Sequence, residues 1–289
     1  MDVLSRIEQG LGATLAQVAT PGAPPGLASA VQHAVFPGGA RVRPRLCIAV
    51  ARACGDGESP LTLAAAAAIE LLHCASLVHD DLPCFDDAAT RRGLPSVHAA
   101  FGEPLAVLAG DALIVLAFES LAVAGARDPA RLPALLSLIG RSVGLPGGIV
   151  AGQAWECESD CSVTQYHRAK TGALFVAATT AGALAAGADP APWRPLGERL
   201  GEAYQVADDL RDACAGSEET GKPGGRDAAL GRPSAVGQRG VDGAVRRLES
   251  LVAGAIAAIP SCAGEAELRA LVLGEAQRLR PSSLVRRVA

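Results

Sequence analysis

The stretch HCASLVHDDLPCFDDAATRR, residues 73 to 92, decides how the rest of the chain is interpreted. An apolar segment ends there in a group of charged residues: Asp80, Asp81, Asp86, Asp87, Arg91 and Arg92. Such a group is costly to assemble without a ligand that neutralises it. Mg²⁺ with a bound polyphosphate would do so, because this ion prefers one or two carboxylates, several waters and phosphate oxygens. The stretch therefore predicts a metal–diphosphate site.

A second acidic cluster, DDLRD at residues 208 to 212, lies far downstream. Asp208 and Asp212 are four residues apart and face the same way on a helix, where like charges repel. A counter-ion is therefore expected beside them. Two acidic clusters with neighbouring cations suggest one diphosphate held from both sides.

The composition favours an all-helical chain with no nucleic-acid surface. The 289 residues are 49% hydrophobic but only 3% aromatic, with much Ala and few β-branched runs. This length can bury a sizeable core, and because no repeat or clear linker divides it, we expect one domain spanning residues 1–289. The formal net charge is −4 and no basic stripe is present, which argues against nucleic acid as a partner.

The cysteines and the chain start indicate a reducing compartment. Eight cysteines form no CxxC pair, and no apolar signal region opens the sequence, so we expect a cytoplasmic protein. Cys157 and Cys161 could face each other on a helix, although plain buried thiols are favoured over zinc ligands. The uncharged stretch Thr171 to Ala188 is rich in Ala, Gly and Thr, so we interpret it as a buried core helix and expect no transmembrane segment.

Two lysines stand out among 26 basic residues, because all the others are arginines. Chance accounts for Lys170 and Lys222 about as well as a need for a compact charge on a phosphate, and the count leaves both explanations open. Lys222 lies in a glycine-rich stretch, 213 to 233, which predicts a loop that could close over a ligand. Pro223 follows the lysine and no strand precedes it, so this is not a P-loop.

A glycine turn from Pro37 to Arg45 carries three arginines at alternate positions, Arg41, Arg43 and Arg45. They could be exposed charges at a helix start, or guanidinium groups that bind a phosphate bidentately. Apolar spacing and proline or glycine breaks predict helices elsewhere. These are 2–19, 61–81, 102–126, 131–144, 163–187, one from 196 through the second acidic cluster, 234–258 and 263–280.

The predicted helix that carries the first cluster should end near Asp81 or Leu82, because Pro83 cannot continue it. Asp80 and Asp86 are out of phase on a straight helix, but a broken end could return Asp86 to the side of Asp80. His73 lies two turns before Asp80 on the same face, which raises the odds that it is functional rather than a satisfied core histidine.

Several stretches occur in the order of one known family: GGARVRP (38–44), ELLHCASLVHDDLPCFDDAATRRGLPSVH (70–98), GDAL (110–113), GQ (152–153), KTGAL (170–174), and QVADDLRD with GKPGGRD (205–227). Together they resemble the trans-isoprenyl diphosphate synthases, most closely the bacterial geranylgeranyl diphosphate synthases that serve carotenoid and photosynthetic pigment lipids. The match covers nearly the whole chain, and its two aspartate motifs are highly specific.

The resemblance implies an all-α, single-domain helical bundle with a deep central cavity, usually a homodimer. It implies magnesium ligands at Asp80, Asp86 and Asp208, with Asp81 and Asp212 close by and three Mg²⁺ ions in the site. It assigns the allylic diphosphate to Arg91, Lys170 and Lys222. It assigns isopentenyl diphosphate to Arg43, His73 and Arg92, and places Thr171 and Gln205 beside the reacting carbons.

The implied reaction is a Mg²⁺-dependent head-to-tail (1'-4) condensation of isopentenyl diphosphate with allylic diphosphates. Metal ions and cations would neutralise charge on the departing diphosphate. The allylic cation must meet the isopentenyl double bond before water does, which requires an apolar, closed site. No side-chain base is obvious, and the released diphosphate could take the proton.

The chain departs from the family pattern at a few positions. The family usually has Lys where this chain has Ala40, so Arg41 or Arg45 would have to substitute, or isopentenyl diphosphate would bind more weakly. Glu156 stands where Asp is usual, and Arg232 with Ser234 where Lys and Thr are common; these keep the chemistry.

Product length follows from side chains before the first motif. In the family, the product chain grows down a cavity whose floor these side chains form. Ala75 and Ser76 are small, which favours a C20 product, although Leu72 or Phe118 could form the floor instead. A farnesyl or geranyl diphosphate synthase is the alternative within the family.

Other classes of function are weaker fits. A class I terpene cyclase would need more aromatic residues to stabilise its cations. Ala40 and the cysteine pair would suggest a catalytically silent partner subunit of another prenyl synthase. We disfavour this alternative because both aspartate clusters and both lysines are intact. The His79-Asp80 pair lacks the further histidines that a metal phosphohydrolase would need.

Overall fold

The computed structural model describes residues 2–36, 38–158, 163–214 and 234–279. These residues are helical almost throughout. The α-helices are α1 (Val3–Ala16), α2 (Pro25–Val35), α3 (Val42–Ala53), α4 (Pro60–Asp80), α5 (Val97–Phe101), α6 (Glu103–Gly125), α7 (Leu132–Val143), α8 (Ile149–Ala154), α9 (Val163–His167), α10 (Ala173–Ala185), α11 (Arg194–Cys214), α12 (Ala235–Ala257) and α13 (Glu265–Leu279). Short 3₁₀ turns occupy Trp155–Cys157 and Ala191–Trp193, a π-helical segment occupies Arg168–Gly172, and strands β1 (Thr90–Arg91) and β2 (Leu94–Pro95) form a small antiparallel ribbon.

Helix α4 lies in the middle of the bundle, packed against α6, α3 and α10. The Ser59 side chain accepts a hydrogen bond from the backbone of Thr62 and Pro60 occupies the first turn, so the helix has a well-defined start. From Ala65 to Leu72 every residue is buried. A helix that is apolar on all sides is stable only in a protein core or a membrane, and here the neighbouring helices cover it.

The end of α4 turns the chain back on itself. The backbone N–H of Asp86 donates to the carbonyl of Asp80 across 2.9 Å, and that of Ala88 donates to the carbonyl of Asp81 across 3.1 Å. These bonds satisfy carbonyls that a helix end leaves without partners. The prediction that a broken helix end returns Asp86 to the side of Asp80 is therefore confirmed.

The uncharged stretch after Lys170 divides into the end of the π-helical segment and α10. Every residue of α10 except Ala173, Val176 and Leu184 is buried, and the helix packs against α3, α11, α7 and α4. The interpretation of this stretch as a buried core helix is confirmed.

Helices α4 and α6 are long and apolar enough to cross a membrane by length and composition alone. Within the tested window, 72% of the residues of α4 are buried in the protein, as expected of a core helix. The corresponding share for α6 is 39%, and its large exposed apolar residues are Val107, Leu108, Val115 and Val123. Helix α6 thus has an apolar face that the bundle does not cover.

Most predicted helices match the structure to within a few residues, but helices α2, α3, α5 and α8 were not predicted. Residues 25–35 form helix α2, where only a short unassigned segment was expected. The predicted glycine turn ends at Arg41, because α3 begins at Val42. The ribbon β1–β2 was not predicted, since two-residue strands leave no periodic signal.

Candidate active site

Lys170 connects the first aspartate cluster to the segment after α9. Its Nζ lies 3.1 Å from Oδ1 of Asp80 and 2.6 Å from Oε1 of Glu156. The amide of Gln153 donates to the same Asp80 oxygen across 2.7 Å. Burial opposes the lysine charge, but the two carboxylates outweigh it and raise the pKa of Lys170. The ammonium is therefore charged and fixed beside Asp80.

Burial raises the pKa of Asp80, and the charge of Asp86 adds to the rise, while Lys170 opposes it. A buried carboxylate next to another carboxylate needs positive charge nearby, and Lys170 and Arg91 both supply it. The folded-back end of α4 thus brings carboxylates and cations close together.

Asp81 is held by Arg91, whose Nε lies 3.0 Å from Oδ2 and whose Nη2 contacts Oδ1. Burial opposes the charge of Arg91, but the bonds to Asp81 raise its pKa, with further contributions from Asp80 and Asp86. The predicted metal neighbour Asp81 and the predicted diphosphate ligand Arg91 are therefore partners of each other. The pair fixes the ribbon β1–β2 against the end of α4.

Helices α8 and α11 each lie against the π-helical segment at a glycine. A Cβ at Gly152 would lie 2.3 Å from the backbone nitrogen of Lys170, so only glycine lets α8 approach the π-helical segment this closely. A Cβ at Gly201 would likewise lie 2.6 Å from the Cα of Gly172. The first contact places Gln153 beside Asp80, and the second brings α11 against the segment that carries Thr171.

Thr171 and Gln205 meet across that second contact. The Thr171 hydroxyl donates to Oε1 of Gln205 across 2.8 Å, and the Gln205 amide donates to Oδ1 of Asp209 across 3.0 Å. Asp209 is buried and also accepts from the backbone N–H of Ala235 across 2.6 Å, which fixes the start of α12. Asp209 therefore supports the amide of Gln205 and the next helix.

Asp208 and Asp212, the predicted ligands of the second cluster, lie one turn apart on α11. Asp208 is exposed and pairs with Arg211 across 2.6 Å, while Asp212 is half-buried. The counter-ion predicted for this cluster is thus present for Asp208. The negative charge of Asp208 also acts on the guanidinium of Arg43, so the second cluster lies near the arginines of α3.

A cluster of cations surrounds His73. Burial, and the positive charges of Arg43, Arg92, Arg91 and Arg41 in that order, hold the pKa of His73 well below its usual 6.5. Burial also lowers the pKa of Arg43. Arg92 lies over the glycine turn, since a Cβ at Gly39 would be 3.0 Å from its guanidinium carbon. The three residues that the resemblance assigned to isopentenyl diphosphate are therefore gathered in one positive region with a neutral histidine.

Arg41 adds to the positive charge at His73, but Arg41 and Arg45 are both bound to carboxylates. Arg41 is 2% exposed and donates to Glu70 across 2.7 Å and to Glu8 across 2.8 Å, while Arg45 donates to Glu275 across 2.7 Å. Neither guanidinium is available to replace the side chain missing at Ala40. Of the three arginines in the turn, only Arg43 remains a candidate phosphate ligand, because buried carboxylates bind the other two.

Several residues of the site were missed by sequence reasoning. Glu156 was treated only as a substitute for Asp, yet it shares Lys170 with Asp80 and accepts a bond from Tyr166. Gln153 was quoted only as part of a motif. Glu275 gave no signal, because it lies on α13, 71 residues from Tyr204 and 230 residues from Arg45, which it contacts.

The donor set fits a hard cation such as Mg²⁺, because the candidate ligands are all carboxylate oxygens. Within the described ranges, no group of three or more His, Cys, Asp or Glu side chains converges on one point. Phosphate oxygens and water would therefore have to complete the coordination, as Mg²⁺ usually allows. Lys222 and Cys161 lie outside the described residues.

Comparison with known proteins agrees with this arrangement. The model of the polyprenyl synthetase family matches residues 24–255. The chain belongs to this family. Among its relatives, the geranylgeranyl diphosphate synthase of Cereibacter sphaeroides is 54% identical over 283 residues, covering 98% of each chain. That of Rhodobacter capsulatus is 54% identical over 94% of each chain.

Solved structures of the polyprenyl synthetase family share the fold. An FPP/GFPP synthase from Zymomonas mobilis, 30% identical, matches 94% of this chain and 96% of its own with a TM-score of 0.80. A geranyltransferase from Helicobacter pylori complexed with magnesium and isoprenyl diphosphate, 28% identical, matches 95% and 97% with a TM-score of 0.79. The predicted all-α isoprenoid-synthase fold and the assignment as a prenyltransferase of this family are confirmed.

Proposed function

We propose that this polyprenyl synthetase condenses isopentenyl diphosphate with allylic diphosphates, head to tail, and releases geranylgeranyl diphosphate (C20) as its main product. The observation that carries the proposal is the presence of two groups of cations along α4, one at its aspartate end and one around His73. Lys170 and Arg91 lie at the aspartates, and Arg43 and Arg92 lie around a neutral His73. Two diphosphates need two such regions.

Mg²⁺ is the cofactor that suits the carboxylates. Asp80 and Asp86 from the first cluster and Asp208 from the second would hold it, with Asp81 and Asp212 nearby, and we propose three ions per site. When bound, Mg²⁺ supplies charge neutralisation on the departing diphosphate. The burial of Asp80, Asp81 and Asp86 together at the end of α4 supports this assignment.

The residues of the chain take the following roles in this proposal. Lys170 and Arg91 bind the allylic diphosphate, assisted by Lys222, which lies outside the described residues. Unlike the partners of Arg41 and Arg45, their partners Asp80 and Asp81 are candidate Mg²⁺ ligands, so bound metal would release both cations for the diphosphate. Arg43, His73 and Arg92 bind the diphosphate of isopentenyl diphosphate. His73 can donate or accept a hydrogen bond without adding charge, because its pKa lies well below neutrality.

Thr171 and Gln205 orient the reacting carbons. Their mutual hydrogen bond, together with that from Gln205 to Asp209, fixes the direction of both side chains. The apolar helices α4 and α10 around them exclude water, which would otherwise capture the allylic cation.

A C20 product is proposed from the small residues before the first motif. Ala75 is buried and Ser76 is half-buried, with its hydroxyl bound to the carbonyl of His73 across 2.8 Å. Neither side chain projects far from α4. The names of the two relatives at 54% identity support the same product length.

We further infer a homodimer of single-domain chains in the cytoplasm. The exposed side of α6 is the natural contact surface. It carries Val107, Leu108, Val115 and Val123, with Asp111 and Glu119 between them, and exposed apolar patches mark interaction sites. The described cysteines Cys47, Cys54, Cys74, Cys84, Cys157 and Cys262 are all free thiols, as a reducing compartment requires.

The test is an incubation of the purified protein with labelled isopentenyl diphosphate, Mg²⁺ and separate C5, C10 and C15 primers, followed by sizing of the products. We expect C20 from every primer and none after chelation of the metal. A main product of C10 or C15 would replace the length assignment with a geranyl or farnesyl synthase. Failure with all primers would favour a silent partner subunit and contradict the proposal.

A further inference from the structure

Arg43 lies on an aromatic ring instead of on a carboxylate. Its guanidinium carbon is 4.6 Å from the ring centroid of Phe175, a distance typical of a cation–π contact. Phe175 is fully buried. Among the described residues, the Nε of Arg43 is enclosed yet has no hydrogen-bond partner. The cation is thus held by a ring contact, and its Nε–H keeps an unused capacity to donate a hydrogen bond.

A second layer of contacts fixes the ring. Tyr204 packs on Phe175 with the centroids 4.5 Å apart and the rings inclined by 37°. The Tyr204 hydroxyl donates to Oε2 of Glu275 across 2.8 Å, and Glu275 binds Arg45 through its other oxygen. Helices α3, α10, α11 and α13 therefore meet at this stack, and its geometry is fixed before any substrate arrives.

A ring serves an anion site better than a carboxylate in this position. A carboxylate on Arg43 would neutralise it and compete with an incoming diphosphate, as happens to Arg41 on Glu70. The face of an aromatic ring stabilises the guanidinium without occupying its N–H groups. This matters in a turn where Ala40 provides no charge and where Arg41 and Arg45 are bound to carboxylates.

We propose that Phe175 is a positioning residue for isopentenyl diphosphate, acting through Arg43. The ring holds the guanidinium in a fixed plane with its N–H groups directed at the substrate diphosphate, which limits the affinity lost through Ala40. The proposal rests on the proposed function, since it takes Arg43 as a ligand of that substrate.

The test changes the charge distribution on the Phe175 ring while keeping the shape of the ring. Phenylalanine analogues with one to five fluorines at position 175 retain the shape and progressively reverse the charge on the ring face. The matched control is Phe36, whose ring lies 5.6 Å from Arg41, a cation bound to carboxylates outside the site. Phe175→Leu keeps an apolar side chain and removes the ring.

Binding of isopentenyl diphosphate is measured by calorimetry, alongside KM for both substrates and the thermal midpoint. We expect the dissociation constant and KM for isopentenyl diphosphate to rise stepwise with fluorination at 175, to about tenfold. KM for the allylic primer, the thermal midpoint and the Phe36 series should stay constant.

Equal affinity for isopentenyl diphosphate across the variants at position 175 would overturn the proposal. Equal losses of affinity for both substrates, together with a lowered thermal midpoint, would also overturn it, because they would indicate that the ring has only a structural role. If the wild-type protein bound no isopentenyl diphosphate, the proposed function itself would fail and this role with it. If the wild-type protein bound isopentenyl diphosphate but the variants at position 175 had no effect, the proposed function would stand and only the role of Phe175 would fail.

Discussion

Lys170 and Asp80 are ninety residues apart in sequence, and their side chains form an ion pair of 3.1 Å. Helix α4 ends at the aspartate, and a π-helical segment carries the lysine. The contact depends on Gly152, whose lack of a side chain lets α8 lie against the backbone of Lys170. Gly152, which lies outside the motifs that carry Asp80 and Lys170, thus determines how these two residues meet.

Gly152→Ala should therefore reduce activity strongly. The new methyl group would lie 2.3 Å from a backbone nitrogen, so α8 must move and Gln153 must leave Asp80. We expect kcat/KM to fall at least a hundredfold and the free energy of unfolding to fall by about 2 kcal/mol. Gly147→Ala is the matched control, because a Cβ there meets nothing within 4 Å. Equal kinetics for the two variants would contradict this account of the site.

Ala40→Lys should improve the binding of isopentenyl diphosphate. The structure removes the two alternatives, since Arg41 and Arg45 are bound by Glu70 and Glu275. One added charge-assisted hydrogen bond to the diphosphate should lower KM for this substrate by about tenfold. Ala40→Met, with a similar length and no charge, should leave KM near the wild-type value. An unchanged KM in the lysine variant would show that the turn does not face the substrate.

Ala75→Phe should shorten the main product from C20 to C15. The residue is buried on α4 five positions before Asp80, and a phenyl ring there would block a growing chain at that depth. The measurement is the product distribution with each primer, checked against the thermal midpoint, because overpacking alone costs about 1–3 kcal/mol. An identical product spectrum would move the floor to Leu72 or Phe118.

His73 should make the protein less stable in acid. Its folded-state pKa is depressed below the unfolded value of 6.5, so at neutral pH both states are neutral. As the pH falls through 6.5, His73 binds a proton in the unfolded state but not in the folded state, so the free energy of unfolding falls. At pH 5.5 the loss is at most about 1.4 kcal/mol. Urea unfolding of wild type and His73→Asn at pH 7.5 and 5.5 should give curves that converge in acid; parallel curves would refute the depressed pKa.

Val115→Asp should convert a dimer into monomers. Val115 is 64% exposed in the middle of the apolar face of α6, so a charge there costs the single chain little but would be buried in an interface. Light scattering should report half the wild-type mass. Leu273→Asp is the control, an exposed apolar residue on α13 whose change should leave the mass unaltered. A wild-type monomer would remove the homodimer from the proposal.

Periodicity located most helices because amphipathic or fully apolar runs depend only on neighbouring residues. Helix α2 escaped notice because its eleven residues lie between proline-rich and glycine-rich stretches that predict turns. The folded-back end of α4 was predictable, since Pro83 excludes a continued helix. Spacing singled out His73 and the arginine turn, but their assignment to isopentenyl diphosphate came from a family resemblance, and spacing predicted none of their contacts.

The sequence by itself determined that this is a helical chain of the polyprenyl synthetase family with two acidic clusters and a rare pair of lysines. Local patterns and motifs suffice for that, because helix formation, helix ends and charge clusters are properties of short segments. Only the tertiary structure decided which cations remain available. Arg41, Arg43 and Arg45 look alike in the sequence, yet Glu70 and Glu275 neutralise two of them while Phe175 leaves the third able to bind. Those partners come from distant helices, so their positions follow from packing of the whole bundle.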